Sequence, residues 1–309
     1  MILCVGTTPA VQRTLVFDKL TLDEVNRATT VRESAAGKSI NVARVLVTLG
    51  KHALATGFLG GGSGQFLQSE LQRQSVASDF VNIPSRTRTC TTVVDRSADT
   101  ITELVEESSP IAADYWAQLE QVIASHLPRC RAMVLSGGLP PGAPQAFYGR
   151  CCELARPLQI PVVLDARGEP LRLAMPYQPL MVKPNRAELG STFGFDVQTD
   201  QQLKDAIHRL LEMGTQTALI TMGARGAVFC DGKSFWMLHA PTVEVANPIG
   251  SGDSVAAGYV MGIVDGLSPL DSAILGIACG SANAMTPIPG EVQPEDVSRL
   301  RSMVQVETF

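Results

Sequence analysis

Four residues in the segment ANPIGSGDSV, residues 246–255, combine a flexible backbone with a carboxylate. Gly250 and Gly252 let backbone N–H groups approach a ligand closely. A helix that starts at about Asp253 would leave unpaired N–H groups there, and its dipole would favour an anion such as a phosphoryl group. Asp253, which follows Ser251 by two residues, would stay ionised at this helix end and could accept a proton from an attacking hydroxyl. The residues alone leave a second interpretation, in which Asp253 is only the N-cap of the helix.

A second group of polar residues lies in LMVKPNRAEL, residues 180–189. The segment predicts a strand that ends at Lys183 and a helix that follows it. Asn185 and Glu188 are three residues apart, so they share one face at the start of that helix. A carboxylate and an amide on one face suit a hydrated Mg²⁺. The alternative is an ordinary helix start with a surface acid.

The third motif is a pair of glycines in ALITMGARGAVFCDG, residues 218–232. The sequence predicts a strand, then Gly223 and Gly226, then another strand. Glycines at these positions permit either the close approach of a nucleotide or a tight turn. A plain hairpin is the simpler interpretation.

The tripeptide GKS in ESAAGKSINVA, residues 33–43, has the form of the end of a phosphate-binding P-loop. A P-loop needs a glycine separated by four residues from the Gly-Lys pair, and this position, five before Gly37, is occupied by Arg32. The preceding TTVRESA is also a poor core strand. The sequence therefore argues against a P-loop at Lys38.

Short apolar runs that alternate with amphipathic segments position these motifs. ILCVG, AMVLSG, PVVLDA, LMVK and ALITMG predict buried strands, and helices are predicted at 38–49, 64–75, 113–126, 144–156 and 199–213. This alternation indicates a mostly parallel sheet, with ligands beyond the carboxyl ends of its strands. The rhythm breaks at about 12–33 and 86–107, where the pattern predicts exposed antiparallel strands. We expect one α/β domain over 1–309, with these strands inserted as a small sheet that forms a lid or a dimer surface.

The composition narrows the partners of this chain. Apolar residues make up 45% of the 309 residues and charged residues 18%, which favours a folded domain with a large core. The net charge of −5 gives no reason to expect nucleic acid or an anionic membrane as a partner. No segment is apolar for long enough to span a membrane. The seven cysteines show no paired spacing, so we expect free thiols and a cytoplasmic location.

Taken together, the motifs resemble the PfkB family of carbohydrate kinases. GSGDS is similar to the family's C-terminal signature, and KPNRAEL is similar to its Asn-x-x-Glu motif. VLSGGLPPGAP, VVLDARGEPL and ACGSANAMTP narrow the resemblance to the hexose-phosphate kinases, which include 1-phosphofructokinase, tagatose-6-phosphate kinase and the minor 6-phosphofructokinase. The resemblance implies a ribokinase-like three-layer α/β/α sandwich with a small β-sheet lid. It also implies ATP and Mg²⁺.

The resemblance assigns roles to individual residues. Asp253 would be the catalytic base, and the backbone of Gly250, Ser251 and Gly252 would form the anion hole. Glu188 would orient Mg²⁺ through water. The nucleotide and its phosphates would contact the remaining donor-side residues, which are Lys183, Asn185, Thr221, Gly223, Gly226 and Asn283.

On the acceptor side, AGKSIN, residues 36–41, stands where the family has Gly-Gly-Lys-Gly-x-Asn. By this resemblance Gly37, Lys38 and Asn41 contact the sugar, and Lys38 serves its phosphate. Arg88 of the lid strand is the second implied phosphate ligand, so the acceptor is expected to be a sugar phosphate.

Several acceptor-side residues depart from the family pattern. Gln12 stands where the family has an aspartate that holds sugar hydroxyls, while Ala36, Ser39 and Gly138 also replace usual residues. Two other functions therefore stay open, namely a kinase of an unphosphorylated sugar or nucleoside and a non-catalytic sugar-phosphate or nucleotide sensor. The family analogy also suggests a homodimer formed through the lid.

Overall fold

A large sheet and a small sheet contain all the strands of the protein. The computed structural model describes all residues, 1–309. The strands are β1 Ile2–Gly6, β2 Ala10–Phe17, β3 Thr30–Ala36, β4 Ala53–Leu59, β5 Ala77–Ser78, β6 Val81–Asn82, β7 Arg88–Asp95, β8 Thr100–Val105, β9 Ala132–Ser136, β10 Val162–Asp165, β11 Met181–Val182, β12 Thr217–Thr221, β13 Ala227–Cys230, β14 Phe235–His239 and β15 Gln305–Thr308.

Ten α-helices connect or follow these strands. They are α1 Lys38–Thr48, α2 Gly61–Arg73, α3 Ala113–His126, α4 Phe147–Ala155, α5 Gly168–Ala174, α6 Arg186–Phe193, α7 Asp200–Glu212, α8 Ser251–Val264, α9 Pro269–Ala284 and α10 Pro294–Arg301. Each of the five predicted helices is present, with ends that differ by zero to three residues. None of the helices combines the length and the apolar character that crossing a bilayer requires.

The large sheet is mostly parallel, as predicted. Its order is β15-β14-β13-β12-β11-β10-β9-β1-β4-β5, with β6 also paired to β4. β1 lies between β4 and β9 and is parallel to both, with Ile2 opposite Ala53 on one side and Ala132 on the other. Only the pairs that involve β13, β14 and β15 at one edge are antiparallel. The carboxyl ends of β1, β9, β10, β11 and β12 therefore meet along one edge of the sheet.

Two hydrophobic clusters cover the two faces of this sheet. Successive residues of β1 alternate between them, with Ile2 and Cys4 in one cluster and Leu3 and Val5 in the other. The first cluster contains the buried faces of α1, α2, α8, α9 and α10, and the second those of α3, α4, α5, α6 and α7. Because the central strands are buried on both faces, the chain forms three layers, α/β/α. This confirms the predicted fold class.

The small sheet differs from its prediction in one pairing. Its order is β3-β2-β7-β8, and the β2–β3 and β7–β8 pairs are antiparallel. β2 and β7 are parallel, however, so the expectation of antiparallel strands is wrong for the central pair. β2 follows β1, and β7 follows β6. Because β1 and β6 run in the same direction in the large sheet, the chain leaves that sheet at the same edge both times. Their register places Gln12 opposite Cys90.

Candidate active site

The N-terminus of α8 offers free backbone donors beside a carboxylate. The helix begins at Ser251, two residues earlier than predicted, and Gly250 precedes it with φ of 85°. The N–H groups of Gly250, Gly252 and Asp253 have no backbone acceptor. A Cβ atom at position 250 would lie 2.8 Å from the nitrogen of Gly290, so the loop also needs glycine for space.

Asp253 lies in the first turn of α8 and is not its N-cap, so the simpler interpretation of this residue is wrong. Its side chain makes no capping hydrogen bond. It is instead buried and accepts a hydrogen bond of 2.8 Å from Nδ2 of Asn41. The carboxylate therefore faces α1 and the rest of the site.

Burial, with a smaller contribution from Asp165, raises the pKa of Asp253 to about 6. Lys38, the Asn41 amide and Lys183 act in the opposite direction. The pKa lies above the usual aspartate value despite the helix end, because removal from water outweighs the nearby positive charges. The group is still mostly ionised at neutral pH, and a pKa close to the working pH suits a general base.

Asp165, which the sequence analysis did not single out, lies between two predicted site lysines. Its carboxylate is 1% exposed, with Oδ2 3.1 Å from Nζ of Lys38 and Oδ1 3.3 Å from Nζ of Lys183. Burial opposes ionisation, but Lys183 and Lys38 outweigh it and lower the pKa of Asp165. Burial likewise opposes the charge of Lys38, whose pKa is nevertheless raised by Asp165 and Asp253. The available signal was an aspartate that ends a buried strand, in PVVLDA.

The predicted metal and phosphate residues at the start of α6 also have a structural role. Asn185 and Glu188 form a capping box, in which Asn185 Oδ1 accepts from the Glu188 N–H at 2.8 Å and Glu188 Oε2 accepts from the Asn185 N–H at 2.9 Å. Both residues nevertheless line the central cavity, and Oε1 of Glu188 makes no hydrogen bond. One free carboxylate oxygen on the cavity wall fits Mg²⁺, because this ion keeps several of its waters and binds through few protein ligands. No group of three His, Cys, Asp or Glu side chains forms a metal cage.

The two glycines after β12 form a hairpin connection that also lines the cavity. β12 and β13 are antiparallel, and a single 3₁₀ turn, Gly223–Arg225, joins them. Gly226 has φ of 95°, and a Cβ atom there would lie 1.9 Å from the carbonyl oxygen of Leu238. The hairpin interpretation is correct, and it is compatible with a bound nucleotide because Thr221, Gly223 and Gly226 face the cavity.

The acceptor-side residues come from the small sheet and from α1. Gln12 is buried, and its Nε2 donates to Oγ1 of Thr92 at 2.7 Å. Arg88 donates to the backbone carbonyls of Thr8 and Glu106, each at 3.0 Å, and no carboxylate pairs with it. Gly37, with φ of 121°, precedes α1. Since α1 follows an edge strand of the small sheet, the P-loop topology is absent, in agreement with the sequence analysis.

Asn283 does not line the cavity, contrary to expectation. It is fully buried and donates to the carbonyl of Ile249 at 2.9 Å and to Oγ of Ser251 at 3.2 Å. Its Oδ1 accepts from the N–H of Gly290 at 2.7 Å. The amide therefore supports the loop before α8 from the side away from the cavity, and the neighbouring Ala284 lies on the cavity wall instead.

One cavity of about 740 Å³ joins both halves of the site, which is a size typical of small-molecule sites. Part of the cavity wall is apolar and includes Val243, Val245 and Ile277, which no sequence motif indicated. The predicted residues on the cavity wall are Gln12, Gly37, Lys38, Asn41, Arg88, Lys183, Asn185, Glu188, Thr221, Gly223, Gly226, Gly250, Ser251, Gly252 and Asp253.

A three-layer fold, with free backbone amides at a helix end and a buried carboxylate in one cleft, suits a small-molecule phosphotransferase. Residues 1–294 match the model of the pfkB family carbohydrate kinase, and the chain belongs to this family. The fold is the ribokinase-like one.

Solved structures resemble the protein over its whole length. A candidate phosphofructokinase from Staphylococcus aureus is 29% identical, with a TM-score of 0.82 over 100% of this chain and 99% of that one. A candidate 1-phosphofructokinase from Thermotoga maritima is 24% identical, with a TM-score of 0.90 and coverage of 100% and 99%. Phosphofructokinase-2 from Escherichia coli is 22% identical, with a TM-score of 0.89 and coverage of 98% of each chain.

Proposed function

We propose that the protein is an ATP-dependent kinase that transfers the γ-phosphoryl group to a hydroxyl of a hexose phosphate. The observation that carries the proposal is the meeting of Asp253, Lys38 and Arg88 in one cavity with the free amides of α8. The amides and the carboxylate supply what phosphoryl transfer requires, and the two cations account for an acceptor that already bears a phosphate.

The state of Arg88 supports a phosphorylated acceptor. Its two terminal nitrogens each donate to one backbone carbonyl, which fixes the plane of the guanidinium without neutralising it. Its Nε is buried and has no hydrogen-bond partner. A guanidinium has five N–H donors, so several stay available to an anion. Lys38 would add a second positive charge, since one of its sides is open to the cavity.

The chemistry follows from the placement of the groups. Asp253 takes the proton of the attacking hydroxyl, while the free amides of Gly250, Gly252 and Asp253 stabilise the charge on the transferred group. The expected contribution of Ser251 to the anion hole is not available from its N–H, which donates to the Pro248 carbonyl at 3.3 Å. Lys183, held by Asp165, lies at the same strand ends and would contact the phosphates of ATP. The Gly223–Gly226 turn and the apolar wall would hold the nucleotide. Glu188 would hold Mg²⁺ through water, and the ion would neutralise the phosphate charge.

The comparisons support the class of acceptor. Phosphofructokinase-2 from E. coli has been crystallised in complex with fructose-6-phosphate. The candidate acceptors for this chain are fructose-1-phosphate, tagatose-6-phosphate and fructose-6-phosphate. Gln12 presents an amide to the sugar where the family has a carboxylate, which is the feature most able to change the preferred hexose.

The same proposal includes a single kinase domain over 1–309 in which the small sheet closes over the sugar as a lid.

The exposed apolar residues of the lid favour self-association. Val31, Leu104 and Val105 of this sheet are 51% to 56% exposed, and a tetrameric form of phosphofructokinase-2 is known. Pairing of two lids would cover these apolar side chains. We therefore propose a homodimer formed through the small sheet.

A screen for ADP release with hexose phosphates, pentose phosphates, free sugars and nucleosides tests the proposed function. We expect turnover with at least one hexose phosphate and none of comparable rate with the free sugar. Arg88→Ala should raise KM for that sugar phosphate at least about tenfold, because a charge-assisted pair is lost. Arg13→Ala is the matched control, since Arg13 lies on the same sheet but outside the cavity. Ligand binding without ADP release from any acceptor would refute the kinase proposal and favour a sensor.

A further inference from the structure

Arg44 of α1 is a buried arginine without a carboxylate partner. It is 7% exposed, and its four hydrogen bonds all go to neutral oxygens. A buried charge is costly unless polar groups compensate it, so a site that retains one requires a specific reason. The acceptors are Asn41 Oδ1 at 3.3 Å, the Pro289 carbonyl at 2.6 Å, Gln74 Oε1 at 2.9 Å and the Ala35 carbonyl.

Three of these four acceptors belong to segments that form the active site. Ala35 is the penultimate residue of β3, in the small sheet, and the next residue lines the cavity. Pro289 packs against Gly250, because a Cβ atom at position 250 would lie 3.0 Å from Cα of Pro289. Asn41 donates to Asp253. One guanidinium therefore joins the lid, the anion-binding loop and the neighbour of the proposed base.

The contact with Asn41 decides which end of its amide meets Asp253. An amide has an acceptor oxygen at one end and a donor nitrogen at the other. Arg44 can only donate, so it fixes Oδ1 of Asn41 on its own side. Nδ2 must then point to Asp253, where it donates at 2.8 Å. The opposite orientation would set an oxygen against the carboxylate and a nitrogen against the guanidinium, and both contacts would be repulsive.

We propose that Arg44 is a positioning residue that orients the Asn41 amide towards Asp253 and anchors the lid strand and the loop at Pro289 around it. The proposal rests on the proposed kinase function for its catalytic consequence, but its structural part does not. Arg44 does not touch the substrate cavity, so its effect on the reaction passes through Asn41 and the two backbone segments.

The charged groups around Asp253 are known, which makes the effect of Arg44 separable from theirs. Lys38 of α1, Asp165 at the end of β10 and Lys183 after β11 are the ionisable groups that act on Asp253. None of them contacts Arg44. A change at position 44 therefore reaches Asp253 through the amide of Asn41 and through the loop at Pro289, and not through a direct contact with one of these ionisable groups.

The decisive measurement is an NMR titration of the side-chain carboxyl carbons in aspartate-labelled protein. It compares wild type, Arg44→Lys, Arg44→Met and Gln74→Leu, with Asp253→Asn to assign the signal. Arg44→Lys keeps the positive charge but replaces the planar guanidinium with a single ammonium, which cannot hold Ala35, Asn41 and Pro289 together. It therefore reports the loss of the positioned guanidinium without the loss of charge. We expect the pKa of Asp253 to be higher in both Arg44 variants than in wild type, because the Asn41 donor is lost. Gln74→Leu removes an acceptor on the side away from the site, and it should titrate as wild type does.

Kinetics with an active sugar phosphate add the catalytic readout. We expect kcat to fall by about 10- to 100-fold in Arg44→Lys, as for a small displacement of reacting groups, with little change in KM for ATP. The acid limb of the pH profile should move to higher pH, which a merely smaller folded fraction would not cause. Thermal unfolding of each variant measures that folded fraction. If Arg44→Met does not fold, Arg44→Lys alone tests the proposed role of Arg44.

The outcomes separate the two proposals. An unchanged titration of Asp253 in folded Arg44→Lys overturns the role of Arg44, whatever the enzyme acts on. An inactive wild type with the expected shift in that titration refutes the proposed function and supports the orientation of Asn41 by Arg44. An active wild type whose Arg44→Lys variant keeps kcat and its pH profile also overturns the role of Arg44.

Discussion

Replacing Asp165 by asparagine should destabilise the protein strongly, because it leaves a buried ammonium without its counter-ion. The carboxylate of Asp165 is 1% exposed, and the side chain of its partner Lys183 is 4% exposed. Removal of one partner from a buried ion pair costs about 3–5 kcal/mol. The Lys38 side chain is 38% exposed, so water can solvate it and its share of the loss is under about 1 kcal/mol. The total is a large part of the roughly 5–15 kcal/mol that stabilises a domain.

Equilibrium urea unfolding, followed by tryptophan fluorescence and far-UV circular dichroism, measures this loss. Asp265→Asn is the matched control, since it breaks a pair with Lys51 in which the two side chains are 28% and 38% exposed. The control should change the free energy of unfolding by less than about 1 kcal/mol. A second variant, Asp165→Asn with Lys183→Met, removes both charges and should recover most of the loss.

The pH dependence gives an independent test of the same pair. The pKa of Asp165 is lowered in the folded protein, so its stabilising effect is present above the unfolded pKa of an aspartate, about 3.9, and is lost as the pH falls through the lower folded value. The difference in free energy of unfolding between wild type and Asp165→Asn should therefore stay constant from pH 7 to about pH 5 and shrink only in stronger acid. If the free energy of unfolding of Asp165→Asn at pH 7 lies within about 1 kcal/mol of the wild-type value, the strong stabilisation by this ion pair is refuted.

Five further perturbations address the reaction centre. Asp253→Asn should lower kcat by about 10²–10⁴-fold, because the proton acceptor is lost. It should also increase the free energy of unfolding at pH 7 by up to about 3 kcal/mol, because folding raises the pKa of this acid to about 6 and so disfavours its ionised form. In wild type, kcat/KM should fall as the pH drops below about 6, and a flat profile down to pH 5 would contradict the assignment of the base. Gly250→Ala should lower kcat by more than about tenfold, since the added methyl group would lie 2.8 Å from the nitrogen of Gly290 and displace the amides; unchanged kinetics would show that the loop does not bind the transferred group. EDTA should abolish ADP release until Mg²⁺ is restored, and Glu188→Gln should raise the Mg²⁺ concentration needed for half-maximal rate; the same requirement in the variant would exclude this carboxylate.

Several features of the fold follow from short patterns. The apolar runs such as ILCVG and AMVLSG form buried parallel strands because their residues are apolar on both faces. β4 was not predicted, since ALATGFL has small and polar residues that give little strand signal, although all seven are buried. The parallel pairing of β2 with β7 was missed because pairing depends on where two distant insertions leave the large sheet.

For the site residues too, a local sequence pattern predicts only contacts between residues that are close in the chain. The glycines and Asp253 belong to one contiguous motif, so the sequence indicates an anion site and its neighbouring carboxylate. Asn283 was placed on the wall by resemblance, but packing turns its amide into the loop at Gly290. Which atoms a side chain meets depends on packing, which a local pattern does not specify.

What the sequence by itself determined is local: the strand and helix alternation, the glycine-rich start of α8 and the capping box at Asn185 and Glu188, whose partners lie a few residues apart. What only the tertiary structure decided is the pairing of distant charges and amides. Lys38 and Asp165 are 127 residues apart, and Asn41 and Asp253 are 212 apart. The order of the parallel strands brings their carboxyl ends to one edge, and this order is a property of the assembled sheet. For that reason the buried Asp165 and the amide-orienting Arg44 are evident in the structure and not in the sequence.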